Sequence, residues 1–146
     1  MQIGIRLHDT KKGTLEERVA IAEEQGFSCA HLALKKVISE YSVADSALTP
    51  GFSCYLKNLF AAHHLDIAVL GCYLNLATPD QAVLEKNVHR YMAHIRMASL
   101  LGAGVVGTET GAVNESYSFE ERNHSEEALD ISVSYTHLTL PTICSV

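Results

Sequence analysis

The sequence predicts an α/β fold of parallel strand–helix repeats, and three observations carry that prediction. Four short apolar segments, over residues 2–8, 27–34, 66–75 and 104–111, each end in polar residues. Amphipathic stretches with helical spacing lie between them. The helical stretches open on capping residues or close on glycine, as Thr14, Thr49, Gly26 and Gly102 show. Alternation of this kind builds a parallel sheet with helices outside it, and the chemistry of such sheets collects at the carboxyl ends of the strands.

The first segment alternates. Ile3, Ile5 and Leu7 are apolar, with Gly4, Arg6 and His8 between them. Period two over this length is a strand. The apolar set then faces the helix layer and the other set the site, with His8 and Asp9 at the carboxyl end. Thr14-Leu15-Glu16-Glu17 is a capping box that starts a helix running to about Gln25, with Leu15, Val19 and Ala22 as its apolar face. Gly26 supplies the left-handed stop.

Residues 27–34 make the second strand, with Ala30, Leu32 and Leu34 on one face and Cys29, His31 and Ala33 on the other. His31 is either a core histidine satisfied by one hydrogen bond or a site-lining one, suited to chemistry near neutral pH. Residues 35–49 read as a loop with a short helical turn. Thr49 then caps a helix with Pro50 at its first position and Phe52, Leu56, Leu59 and Phe60 on its buried face. His63 and His64 end it. Adjacent histidines point to different faces, so they read as dipole-compatible residues and not as a chelating pair.

The third strand, 66–75, is nearly all apolar, as burial on both faces demands, and reaches its first strongly polar residue at its carboxyl end, Asn75. Thr78-Pro79-Asp80-Gln81 reads as a second capping box, before a long helix to about Leu101 with Leu84, Val88, Tyr91, Ile95 and Ala98 on one face. The fourth segment is a short buried strand ending at Thr108-Glu109-Thr110-Gly111. Gly102-Ala103-Gly104 precedes a strand, which is the wrong order for a phosphate loop. Glu109 reads equally as a site carboxylate or as an ion-pair partner of Arg6. A polar loop with Asn114 and Glu115 follows, and Ser125 can cap a further helix.

Composition sets the bounds. The chain has 146 residues, a net charge of −6 and a pI of about 5.7. An acidic chain without a basic face is a poor general nucleic-acid binder. No apolar run reaches the roughly 18–20 residues of a membrane span. The start at Met1 shows no export signal, and the expected location is cytoplasmic. Cys29, Cys54, Cys72 and Cys144 form no C-x-x-C pair, and buried free thiols are expected of them.

Residues 1–131 resemble the first half of a xylose isomerase-like TIM barrel, the sugar phosphate isomerase/epimerase superfamily. The residues that carry the resemblance are Ile3-Gly4-Ile5-Arg6, Glu24-Gln25-Gly26-Phe27-Ser28 and Leu65-Asp66-Ile67-Ala68-Val69. To these is added the run from Leu100 through Val106 into Thr108-Glu109-Thr110-Gly111. His31 departs from the pattern, because many members carry an acidic residue there. The resemblance implies a domain over 1–131 that holds four of the eight strands of a (β/α)8 barrel. Residues 132–146 resemble translated sequencing-adapter DNA and are expected to be a non-native tail.

The resemblance further implies proton transfer next to the carbonyl of a sugar or sugar phosphate, aided by a divalent metal. In the family that metal is held by later strands, so no ligand for it is assignable here. The substrate-side residues it leaves are Arg6, His8, His31, Asn75, Glu109 and Glu115. Arg6 would anchor an oxyanion or phosphate and Asn75 a hydroxyl, while His31 and Glu109 would orient substrate or relay protons. The competing readings are another metal enzyme on the same barrel, a lyase or endonuclease-like protein, and a non-catalytic half-barrel that self-associates as a homo-oligomer.

Overall fold

The computed structural model describes residues 2–109, 111–114, 116, 118–131 and 133–134. Within them, β1 (Gly4–Arg6), β2 (Cys29–Leu32), β3 (Asp66–Gly71) and β4 (Val105–Gly107) form one sheet in that order. Every neighbouring pair is parallel. The connections carry α1 (Leu15–Glu24), α2 (Leu34–Val37), α3 (Pro50–Ala62) and α4 (Gln81–Leu101). The α/β repeat expected from the sequence is the one observed. The chain divides into two compact units. The first is Met1–Cys72 with Ala93–Gly107 and contains the whole sheet; the second is Tyr73–Met92 with Thr108–Val146.

In the first unit, register explains the core. Ile5 sits opposite Ala30 and Ala30 opposite Ile67, while Leu32, Leu70 and Val106 line up across the sheet. These residues join the helices' apolar faces in one cluster with Leu15, Val19, Ala22, Leu56, Phe60 and Met97. Each leucine, valine, phenylalanine or methionine among them, fully buried, contributes about 1.5–3 kcal/mol. The Thr14 capping box is present in both directions, and Gly26 takes φ +79° just past the helix. Thr49 accepts a bond from the Phe52 N–H, with Pro50 in the first turn. At the other end of α3, His63 meets the Glu23 carboxylate at 2.7 Å, which ties α3 to α1.

Several expectations need correction. β1 ends at Arg6, and residues Leu7–Asp9 turn into a 3-10 helix. The buried Leu7 carbonyl there accepts from the Thr10 N–H and hydroxyl, which pulls the chain out of the strand direction. β2 likewise stops at Leu32, and Leu34 starts α2. β3 stops at Gly71, four residues short of Asn75, and is not buried on both faces: Ala68 is exposed beside an irregularity between Ala30 and His31. β4 is not buried either, since Val105 is 54% exposed. One face of this sheet carries the helices, and that face takes the apolar burial. Cys29, Cys54 and Cys72 are free thiols, but only Cys72 is buried and Cys54 is exposed. Cys144 lies outside the described residues, as do residues 135–146 of the expected tail.

In the second unit, α4 starts two residues later than a Thr78 cap would place it. The Asp80 carboxylate accepts from the N–H groups of Ala82 and Val83 at 2.9 and 3.1 Å, and Pro79 stays outside the helix. A carboxylate does this better than a hydroxyl because its charge also meets the positive end of the helix dipole. The Ser125 hydroxyl accepts from Ala128 N–H at 3.2 Å and caps the helical residues 126–131, as its sequence position suggests.

Candidate functional site

The carboxyl ends of β1 and β2 bring three of the six candidate residues together. Arg6 and His31 are register partners. The turn after β1 swings His8 over β2, where its ring meets that of His31 edge-on, with centroids 5.7 Å apart and planes at 82°. Arg6 reaches forward to Asp9, Nε to Oδ2 at 3.0 Å and Nη2 to Oδ1 at 3.4 Å. The same carboxylate lies 4.0 Å from His8 Nε2.

Two features hold this cluster in place. Arg18 is a buried cation on the inner face of α1. Its guanidinium donates to the carbonyls of Gly13, Leu7 and Thr10 and to the Thr10 hydroxyl, so it fastens the turn that carries His8. Gly71 makes room for His31: a Cβ there would collide with His31 Nε2 and press on Ala33 Cβ at 3.1 Å.

The electrostatics keep both imidazoles neutral at pH 7. Burial is the largest influence on His8 and lowers its pKa; Asp9 opposes this, while Arg6, Lys36 and Arg18 add to it. His31 is lowered for the same first reason, then by His8, Arg6 and Lys36, against Asp9. A neutral imidazole offers one donor and one acceptor. Both ring nitrogens of His8 are buried without a hydrogen-bond partner, which is uncommon enough in folded proteins to need a reason.

The second unit holds Asn75 and Glu109. The Asn75 amide is a clip between backbone segments. Its Oδ1 accepts from the N–H groups of Ala77 and Ala112, both at 3.0 Å, and its Nδ2 donates to the Ala112 carbonyl at 2.8 Å. One amide hydrogen is left over for any ligand. Glu109 is exposed, and the adjacent Thr108 hydroxyl is buried without a partner. Glu115 lies outside the described residues.

Sequence reasoning missed Arg18 as part of this arrangement. Its signal was available: Arg18 stands three residues after Leu15 and four before Ala22, within the apolar face of α1. Gly71 carried no such signal, because its neighbour His31 is distant in sequence. Among the described residues no three His, Cys, Asp or Glu side chains converge as metal ligands. The residues present therefore do not fit a divalent metal, and no chemistry is routed through one.

The class this geometry defines is a parallel β/α sheet with polar groups gathered at its strand tips. No family model matches the sequence, and no curated protein matches it. Solved structures do. D-psicose 3-epimerase from Clostridium cellulolyticum H10, crystallised with D-tagatose, matches 97% of the chain with a TM-score of 0.69 at 13% identity. A D-psicose 3-epimerase studied in the presence of D-fructose matches 92% with a TM-score of 0.63 at 11% identity. A xylose isomerase-like TIM barrel/4-hydroxyphenylpyruvate dioxygenase fusion protein matches 92% with a TM-score of 0.62 at 15% identity. The fold is thus a four-stranded parallel β/α arrangement like that found within these proteins. The chain spans about half the length of the two epimerases, 48% and 46%, and 20% of the fusion protein.

Proposed function

We propose that this chain is the substrate-side half of a sugar isomerase or epimerase barrel, acting on a sugar or sugar phosphate by proton transfer next to the carbonyl. The single observation that supports this most is the Arg6–Asp9 and His8–His31 cluster at the strand tips of a fold shared with sugar epimerases. A neutral imidazole suits sugar hydroxyls, since it carries one donor and one acceptor nitrogen. The His8 nitrogens are shielded, so a ligand engages them after a turn of the ring, and that turn relieves their unpartnered burial. Arg6 orients the cluster through Asp9. In the second unit, Asn75, through its remaining amide hydrogen, and Glu109 are proposed by themselves as sugar-binding polar groups.

Acid–base groups and the divalent metal of a whole barrel lie beyond what the described residues provide. A lyase on the same barrel would use the same hydroxyl-binding groups. An endonuclease-like reading is disfavoured by the net charge of −6. No helix among the described residues is long and apolar enough to cross a membrane, and a cytoplasmic location remains part of the reading.

The test is an imidazole NMR titration of the purified chain with D-fructose and D-tagatose. The ring resonances of His8 and His31 should move together and saturate, and those of His63 and His64 should stay still. Unmoved His8 and His31 signals at saturating sugar would sink the proposal.

A further inference from the structure

The three most exposed large apolar residues described in the sheet-bearing unit stand at the two open edges of its sheet. Ile3, 59% exposed, leads into β1. Leu100 and Val105, 48% and 54% exposed, end α4 and open β4. β1 and β4 are also the outer strands, each paired on one side only. The β4 strand, Val105-Val106-Gly107, carries neither a charge nor a proline, the usual devices that keep an edge from pairing.

From these features we infer that two copies of this chain close into one eight-stranded parallel barrel, β4 of each copy pairing with β1 of the other. The geometry permits this closure without reversing any strand. All four strands run the same way in consecutive order. A two-fold axis along the strand direction keeps that sense, so both new junctions are parallel and identical. Twice four strands is the number at which β/α barrels close, and closure removes both edges at once.

The open face gains cover by the same step. Cys29, His31, Val69 and Val105 occupy the face opposite the helices, where Val105 and Ala68 are exposed. In the closed ring this face becomes the interior, and the His8–His31 clusters of both copies share one mouth. The net charge of −6 per copy opposes the approach, so association strengthens with salt.

Sedimentation equilibrium and light scattering on the whole chain decide the matter. The expected result is a discrete species of twice the 15.9 kDa chain mass, more populated at higher salt. The I3K and V105K variants, each checked for fold by circular dichroism, should weaken it by more than about a hundredfold, since each buries an unpaired charge at a junction. V83K, at a residue 38% exposed in the other unit, should leave it unchanged. A monomer at all concentrations, an open-ended series of masses, or a dimer indifferent to both I3K and V105K would each overturn the inference. None of these readouts depends on sugar binding, so the proposal of a sugar site stands or falls separately.

Discussion

Replacing His8 with phenylalanine should make the protein more stable and blind to sugar. The His8 side chain is 9% exposed, and its two ring nitrogens are both buried without a partner. Each unpaired buried polar group costs about 1–3 kcal/mol. A phenyl ring keeps the edge-on contact with His31 and needs no partner, but its extra atom must be fitted, at up to about 1 kcal/mol. With two such nitrogens and the fitting cost set against them, the net expectation is a gain of roughly 1–6 kcal/mol, read as a higher urea midpoint with an unchanged slope. The gain should grow on acidification. Both histidine pKa values are lowered from 6.5, so below that pH the unfolded chain takes up protons that the folded one does not. Wild-type stability is therefore full above about pH 6.5 and declines as pH falls toward the lowered folded values. The variant loses the His8 share of that decline. A destabilised H8F protein whose His31 resonance still answers sugar would show that His8 is a packing residue and that the reasoning is wrong.

Three further substitutions test the framework. T14A removes the capping hydroxyl of α1 and should cost about 1 kcal/mol in urea unfolding, with no change in the His8 and His31 resonances. G111A forces a side chain onto φ +79° and to 2.5 Å from Asn75 Oδ1; limited proteolysis should cut the loop after residue 109 faster by about tenfold, a loss of more than about 1 kcal/mol. R18M keeps the stem packed but takes the guanidinium donor from the Gly13 and Thr10 carbonyls, while the Leu7 carbonyl keeps its Thr10 donors; it should cost about 2–4 kcal/mol and disperse the His8 ring signals. An R18M protein with wild-type stability would mean that the guanidinium does not fasten the turn.

Most of the fold was legible because local signals and burial agree in it. The capping box at Thr14, the Thr49-Pro50 start and the Gly26 stop depend on residues within a few positions of one another, and all three are present as read. Strand ends were read too long for a physical reason. Leu7 and Leu34 are as apolar as strand residues but are buried in a 3-10 turn and a short helix, and Cys72 and Leu74 after Gly71 are buried beyond the end of the strand. Apolar content reports burial, and it cannot tell a strand from a buried turn. The same limit hid the open face of the sheet: Val69 and Val105 read as buried on both sides, while only one side carries helices. For the site, the meeting of Arg6, His8 and His31 followed from strand order. The Asn75 clip did not, because its partners Ala77 and Ala112 are recognised by their backbone and leave no mark in the sequence.

Asp9 explains how two histidines can sit beside a carboxylate and still stay neutral. A lone carboxylate near an imidazole raises its pKa and invites a proton. Here Arg6 holds Asp9 through two contacts and adds its own repulsion, so the pull on His8 is offset at its source. R6Q removes both effects at once: Asp9 is released toward His8 Nε2, and a cation is lost from the cluster. The His8 pKa should then rise, with a smaller rise at His31, where Arg6 and Asp9 stand in the same opposition. NMR titration of the ring protons of wild type and R6Q measures this directly, and sugar response at pH 6 should weaken as the variant's imidazoles take up protons. An unchanged or lower His8 pKa in R6Q would mean that burial alone sets its neutrality and that the Arg6–Asp9 pair plays no part in tuning the site.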